Sequence, residues 1–252
     1  MKAFSVDFIG DMALFKKNDA NDLVFTSYNF IHKPLVLGLF GAILGISGYS
    51  KSGKGKHPEY YNQLKDLKIA IKPLFEKPLQ KVITGFNNAT GHANMGDKKD
   101  GATWQIREQV LVGEPTIGFR VFVKENEMTS ELKQKLRNYE TTYPLYFGKN
   151  EFFAHFEKFR EYDVFESTES IARINSLFIR SNNELHINEV TSILDNDKTN
   201  FIVFEQLPYD FDNHGFYKKD LFSWTNYDVK MLSGHFSKLS DQTGNNFYVQ
   251  FI

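Results

Sequence analysis

Tyr28, His32 and Lys33 fall within six residues of one another. A phenol, an imidazole and an amine at that spacing could move protons in metal-independent cleavage of RNA. They could equally position a phosphate or finish the start of a helix, and the residues by themselves favour that second role. A few residues on, Gly48-Tyr-Ser-Lys-Ser-Gly53-Lys54-Gly55 approaches a phosphate-binding P-loop. Gly55 stands where a Ser or Thr must reach magnesium, and the loop follows a helix where a P-loop follows a strand. Nucleotide hydrolysis is therefore set aside.

A second group gathers between residues 87 and 107: Asn87, Asn88, His92, Asn94, Lys98, Lys99, Trp104 and Arg107. Cations interleaved with an aromatic suit single-stranded RNA, whose phosphates need neutralising and whose exposed bases stack. Elsewhere the signals exclude. The seven His lack metal-ligand spacing, the chain has no Cys, and no Ser sits in a Gly-x-Ser-x-Gly elbow. Asp210, Asp212 and Asp220 lack the ligand spacing of a cation loop and read as a solvated turn. No metal and no cofactor is called for.

The elements around these groups follow from period and punctuation. Phe4, Val6 and Phe8 alternate with Ser5 and Asp7, the pattern of a half-buried strand. Pro34 opens a helix at the position where its missing N–H costs nothing, and the helix ends near Gly48. A short helix is expected over Glu59–Leu67. Strands over Val82–Phe86 and Trp104–Val112 flank an aperiodic stretch, making a long hairpin. Ile117 to Val123 alternates again, Thr129 or Ser130 caps a helix carrying Leu132 and Leu136, and a strand runs over Glu151–Phe165. Strand, helix, strand, strand, helix, strand is the split βαβ order. The expectation is an α+β chain: a ferredoxin-like domain over residues 1–165 with a protruding hairpin at about 82–112, then a smaller β-rich domain over 166–252.

Charge is uneven. Residues 1–81 hold 12 Lys against 7 acidic residues, whereas 166–252 hold 7 basic against 12 acidic. One end is suited to nucleic acid and the other to a basic partner. The longest apolar run, Leu35–Ile46, is short of the ~20 residues a membrane span needs. With no export-like start, a cytoplasmic chain without a membrane partner is expected.

Three stretches together resemble the Cas-five family, the subunit that caps the crRNA-bearing end of type I CRISPR Cascade. They are Phe4 to Lys17, Thr26 to Gly45, and Tyr143-Pro-Leu-Tyr-Phe-Gly148-Lys-Asn-Glu151-Phe. The second is the most specific and is similar to the I-B-like branch. The resemblance covers roughly residues 1–165 and implies an RRM- or RAMP-type palm with a hairpin thumb, gripping the 5′ handle of the crRNA. It implies contacts with the Cascade backbone subunit and the large subunit, and with target DNA indirectly through the complex. Carried over residue by residue, this implies Lys16, Lys17, His32 and Lys33 for the palm and Lys98, Lys99, Trp104 and Arg107 for the thumb, with Tyr28, Asn87 and His92 expected beside them as RNA contacts from the residues alone. Lys149 follows the loop at Gly148. Lys16-Lys17 stand where many relatives carry Arg, which argues against bidentate phosphate contacts there. The I-C branch cuts precursor RNA, whereas the I-B-like branch leaves cutting to a separate endonuclease. A non-catalytic RNA-binding subunit is thus expected, with a metal-independent endoribonuclease and a protein-binding scaffold as the alternatives.

Overall fold

The computed structural model describes residues 1–18, 24–49, 57–88, 104–169, 171–180, 183–185, 201–231 and 236–252. The first half contains β1 (Lys2–Ala13), α1 (Lys33–Leu44), α2 (Glu59–Leu64), β2 (Ile69–Pro73), β3 (Gln80–Asn88), β4 (Trp104–Lys124), α3 (Ser130–Arg137), β5 (Leu145–Tyr146) and β6 (Phe153–Glu166). The second half adds β7 (Ile171–Arg173), β8 (Phe178–Ile179), β9 (Asn183–Leu185), β10 (Ile202–Phe211), β11 (Tyr217–Thr225), β12 (Asp228–Met231), β13 (Ser237–Asp241) and β14 (Asn246–Val249).

The principal sheet runs β14-β13-β6-β1-β4-β2, with β3 beside β4 and β5 beside β6. Its neighbours are antiparallel, with α1 and α3 in the two long connections of the first half. The sheet also curls toward closure. Beyond β14 the chain reaches β2, where Ile69 and Ile252 exchange both backbone bonds at 3.3 and 2.9 Å. Pairing these two edges satisfies backbone groups that would otherwise stay open. The outcome is a strand-rich α+β fold with few helices and a near-barrel sheet. Among the described residues, no helix is long and apolar enough to cross a membrane.

α1 forms where expected and stops earlier. Pro34 lies in its first turn, and Gly45 takes the left-handed conformation at φ 77°, so the helix ends at Leu44 before Gly48. The amide of Ile46 then reaches back to the Gly41 carbonyl at 2.8 Å. α2 likewise ends at Leu64, short of the expected Leu67. The small residues of α1 make room for a side chain: a methyl group on Gly41 would stand 2.5 Å from Cβ of Tyr60.

One expectation changes here. β1 is buried on both faces, not one. Phe4, Val6 and Phe8 join α1 and α3 in the main core, while Ala3 packs with Phe122, Tyr162, Val164, Leu239 and Val249 on the other side. Ser5 and Asp7 are buried because they are satisfied there. Ser5 bonds the Tyr162 hydroxyl at 3.0 Å, and Asp7 receives Arg120 in a two-pronged pair at 2.6 and 2.9 Å. The reason lies in the C-terminal third, expected as a separate domain over 166–252. β13 pairs with β6 in the principal sheet. Leu207, Phe211, Phe222 and Trp224 of β10 and β11 complete the core around α1. That third also keeps a small cluster of its own, in which Ile174, Phe178, Val229 and Phe236 pack together.

Candidate nucleic-acid interface

β4 is one strand with two jobs. Ile117 to Lys124 pairs with β1 and β2, whereas Trp104 to Val112 pairs with β3 as the arm of a hairpin. Residues 113–116 form the bulge between the two halves, since Gly10 faces Ile117 and Met12 faces Val112. A Cβ on Gly113 would lie 2.3 Å from the Thr116 carbonyl carbon, so only glycine fits that bulge.

At the root of this hairpin several segments meet. After β1, Lys17 donates its amide to Thr26 at 2.8 Å, and Tyr28 donates to Phe15 at 2.8 Å, folding 14–17 against 24–28. Phe25 then docks on β4, donating to Arg107 at 2.9 Å and accepting from Gln109 at 2.8 Å. The 147–149 loop joins through the Leu14 amide, which donates to Phe147 at 3.0 Å. Gly148 is required there: its φ is 83°, and a Cβ would press to 2.0 Å from the Leu14 carbonyl oxygen.

Lys16, Lys17, Lys81, Arg107 and Lys149 are therefore gathered about one hairpin from separate stretches, Lys81 and Arg107 on one of its faces and Lys149 on the other, with three of the five over aromatic rings. Lys16 Nζ lies 3.4 Å above Phe25, Lys149 Nζ 4.5 Å above Phe86, and Lys17 Nζ 5.0 Å from Tyr28. Such contacts keep an ammonium desolvated on one side and presented on the other. Two carboxylates tie part of this charge down: Glu108 takes Lys149 at 2.7 Å, and Glu205 takes Lys17 at 3.3 Å. Burial lowers the Lys81 pKa, and its ammonium donates to the Ser27 carbonyl at 3.2 Å. Arg107 is exposed and donates from Nε to Gln105 Oε1 at 3.1 Å. On β3, exposed Ile83 shares the Arg107 face, while exposed Phe86, under Lys149, lies on the opposite face. Cations and open hydrophobic side chains on the two faces of one hairpin fit a flexible polyanion carrying flat bases.

Each expected site residue can now be placed. Lys16, Lys17, Arg107 and Lys149 belong to this cluster. Asn87 faces Gln105 further out on the hairpin, and Trp104 pairs with Asn88 at the end of its described part. His92, Lys98 and Lys99 lie outside the described residues. Lys81 was missed by sequence reasoning. Its signal was its place in the β3 alternation with Ile83, Gly85 and Asn87, on the Arg107 face of the hairpin.

Tyr28, His32 and Lys33 require a correction. They were expected at an accessible helix start, yet they are 1%, 2% and 8% exposed. His32 stands edge-on between Tyr28 and Tyr217, with ring centroids 5.3 and 5.4 Å away, so β11 covers it. Burial, with Lys219 nearby, lowers the His32 pKa to about 3, and the imidazole is neutral. Lys33 donates to the Ile252 carbonyl at 3.2 Å. Burial, then Lys68, lowers its pKa to about 8 against the pull of Asp210 and Asp66. The three side chains act as packing beneath the β10–β11 hairpin. The hairpin is anchored by Glu205, which accepts the backbone amide of Asn29 at 2.8 Å and its side-chain amide at 3.0 Å. A proton-transfer set needs solvent or substrate access, which this arrangement withholds.

No family model and no curated protein matches this chain by sequence. Solved structures do share its fold. A CRISPR protein from Archaeoglobus fulgidus superposes with a TM-score of 0.53 at 12% identity, over 99% of this chain and 100% of that one. A chain of a CRISPR RNA-guided surveillance complex gives 0.51 at 12% identity, over 89% and 90%. At these identities the likeness is one of fold.

Proposed function

We propose that this chain is a non-catalytic, RNA-holding subunit of a CRISPR surveillance complex, of the Cas-five family and its I-B-like branch. In this reading it grips the 5′ handle of the crRNA and caps the end of the complex backbone. It touches the backbone subunit and the large subunit, and meets target DNA only through the assembly. One observation carries the reading: Lys16, Lys17, Lys81, Arg107 and Lys149 are gathered, with Phe25 and Phe86, about the two faces of one hairpin. The fold shared with CRISPR-associated proteins supports the setting. Strand order β6-β1-β4-β2 with two helical connections supports a ferredoxin-like palm, and the β3–β4 hairpin supports a thumb. Burial of Tyr28, His32 and Lys33 speaks for the non-catalytic form.

The test is binding of a fluorescent repeat-derived handle RNA, followed by anisotropy across a salt series. Each phosphate contact contributes about 0.7 to the slope of log affinity against log salt on a single strand. Lys16→Ala with Arg107→Ala should weaken binding and flatten that slope by about 1.4. An unchanged slope refutes the interface. Incubating the protein with full repeat RNA without metal tests the other half, since cleavage would restore the endoribonuclease alternative.

A further inference from the structure

The β3–β4 hairpin leaves the principal sheet as two strands, and among the described residues no third strand lies beside β3. Elsewhere that sheet covers its edge, since Ile252 bonds the backbone of β2 at Ile69. Along the nine residues of β3, by contrast, every second N–H and C=O points away from β4 with no strand to meet it. The usual guards against pairing are missing there. β3 between Gln80 and Asn88 has no Pro and one charged residue, Lys81. It has no bulge either, its register with β4 running unbroken from Gln80 opposite Val112 to Asn88 opposite Trp104. Its large apolar side chains are open as well: Val82, Ile83 and Phe86 are 37%, 63% and 41% exposed. A two-stranded hairpin is marginal by itself in water, and added strands stabilise it.

The residues of this edge match their own sequence run in reverse. Antiparallel pairing of two β3 strands about Thr84 keeps all nine residues paired. It sets Val82 of one copy opposite Phe86 of the other, Ile83 opposite Gly85, and Lys81 opposite Asn87. Both Val82–Phe86 pairs place a β-branched residue against an aromatic, a favourable cross-strand combination. Gly85 has room for its opposite number, because a Cβ there would meet nothing nearer than 3.9 Å. Ile83 of the other copy would lie over it. The one cation of the strand faces an amide, so no like charges are opposed. Centring the pairing on Ile83 or on Gly85 would set Phe86 against Gln80 or Thr84 and lose both Val82–Phe86 pairs. We infer that two copies of this chain associate through β3, antiparallel about a two-fold axis at Thr84, in one four-stranded β4-β3-β3-β4 sheet. Residues opposite each other in antiparallel strands share a face. The side bearing Lys81 and Arg107 in each copy is then one continuous surface.

The chain has no Cys, so a single introduced thiol reports its own position. Thr84→Cys would place two thiols directly opposite, with Cβ atoms about 4.5–5.5 Å apart, near the span a disulfide bridges. With Asn87→Cys the thiol of the other copy lies six residues along, roughly 20 Å away. Mild oxidation should therefore link Thr84→Cys into a dimer and leave Asn87→Cys unlinked. A single strand-to-strand contact is at the small end of interface sizes, so light scattering on the wild type extends to about 500 µM. Over that series the mass should rise toward twice the monomer value. Ile83→Lys changes an exposed side chain, uncovers Gly85 of the other copy and adds charge beside Lys81 and Arg107. It should weaken association about tenfold, and it serves where Thr84→Cys does not fold.

A mass that stays monomeric throughout would leave this edge to a strand of some other chain and overturn the inference. Equal linking of Thr84→Cys and Asn87→Cys would mean chance collision, which overturns it too. A dimer undiminished by Ile83→Lys would lie on another face, with the same consequence.

Discussion

Lowering the pH should unfold this protein through His32 in particular. The folded imidazole has its pKa lowered to about 3, chiefly by burial and secondarily by Lys219, against an ordinary value near 6.5. Between those values the unfolded chain binds a proton that the folded chain refuses. Stability therefore rises with pH across this window and falls as pH drops from 6.5 toward 3. At pH 5 the unfolded state is favoured by about 1.5 pH units, or roughly 2 kcal/mol relative to pH 7.5. For a chain of this size that is a fall of about 4–8 °C in Tm. Carboxylates elsewhere titrate too, so the comparison must be internal. His32→Leu keeps an apolar group of similar size between Tyr28 and Tyr217 and removes the titrating ring. Differential scanning fluorimetry of both proteins at pH 7.5 and 5 gives four Tm values. The wild type should lose about 4–8 °C more than the variant. Equal losses would mean that His32 does not titrate out of the folded state, and the buried-imidazole account would fail.

Two glycines of α1 should respond oppositely to alanine. At Gly38 a methyl meets Tyr60 at 3.7 Å, ordinary contact, so Gly38→Ala should stabilise by about 0.5–1 kcal/mol through helix propensity. At Gly41 it meets Tyr60 Cβ at 2.5 Å, and overpacking of about 1–3 kcal/mol should outweigh that gain. Urea midpoints in the reverse order would contradict this packing. In the sheet, Asp7→Ala leaves the largely buried Arg120 without its partner at 2.6 Å, with Arg160 3.8 Å from the same carboxylate. Breaking a buried pair typically costs about 3–5 kcal/mol, and a loss under about 1 kcal/mol in urea unfolding would show the pair to be solvated.

Local chemistry alone made several elements legible. Pro34 defined the start of α1 because it acts within one turn of backbone, whereas its stop falls at Gly45 and not near Gly48. Strand-like sequence in 82–86 and 104–112 defined the hairpin because strands adjacent along the chain readily pair with each other. Leu132 and Leu136 marked α3 in the same way, and both are buried. Arg107 was found as a cation of suitable type beside an aromatic, whereas Lys16, Lys17 and Lys149 came only from the family resemblance.

What long-range packing decided is of a different kind. Ser5 and Asp7 read as a solvated face because alternation reports polarity, and polarity does not reveal a partner such as Arg120 or Tyr162 more than a hundred residues away. His32 and Lys33 read as accessible for the same reason, since the hairpin that covers them lies near residues 202–225. Asn29 and Glu205 are separated by 176 residues, yet their bond sets where that cover sits. A short stretch of sequence can specify its own backbone shape, because turns, caps and periods are local energies. Whether its side chains face water, core or ligand depends on which distant surface folds over them, and here β10, β11 and β13 made that choice.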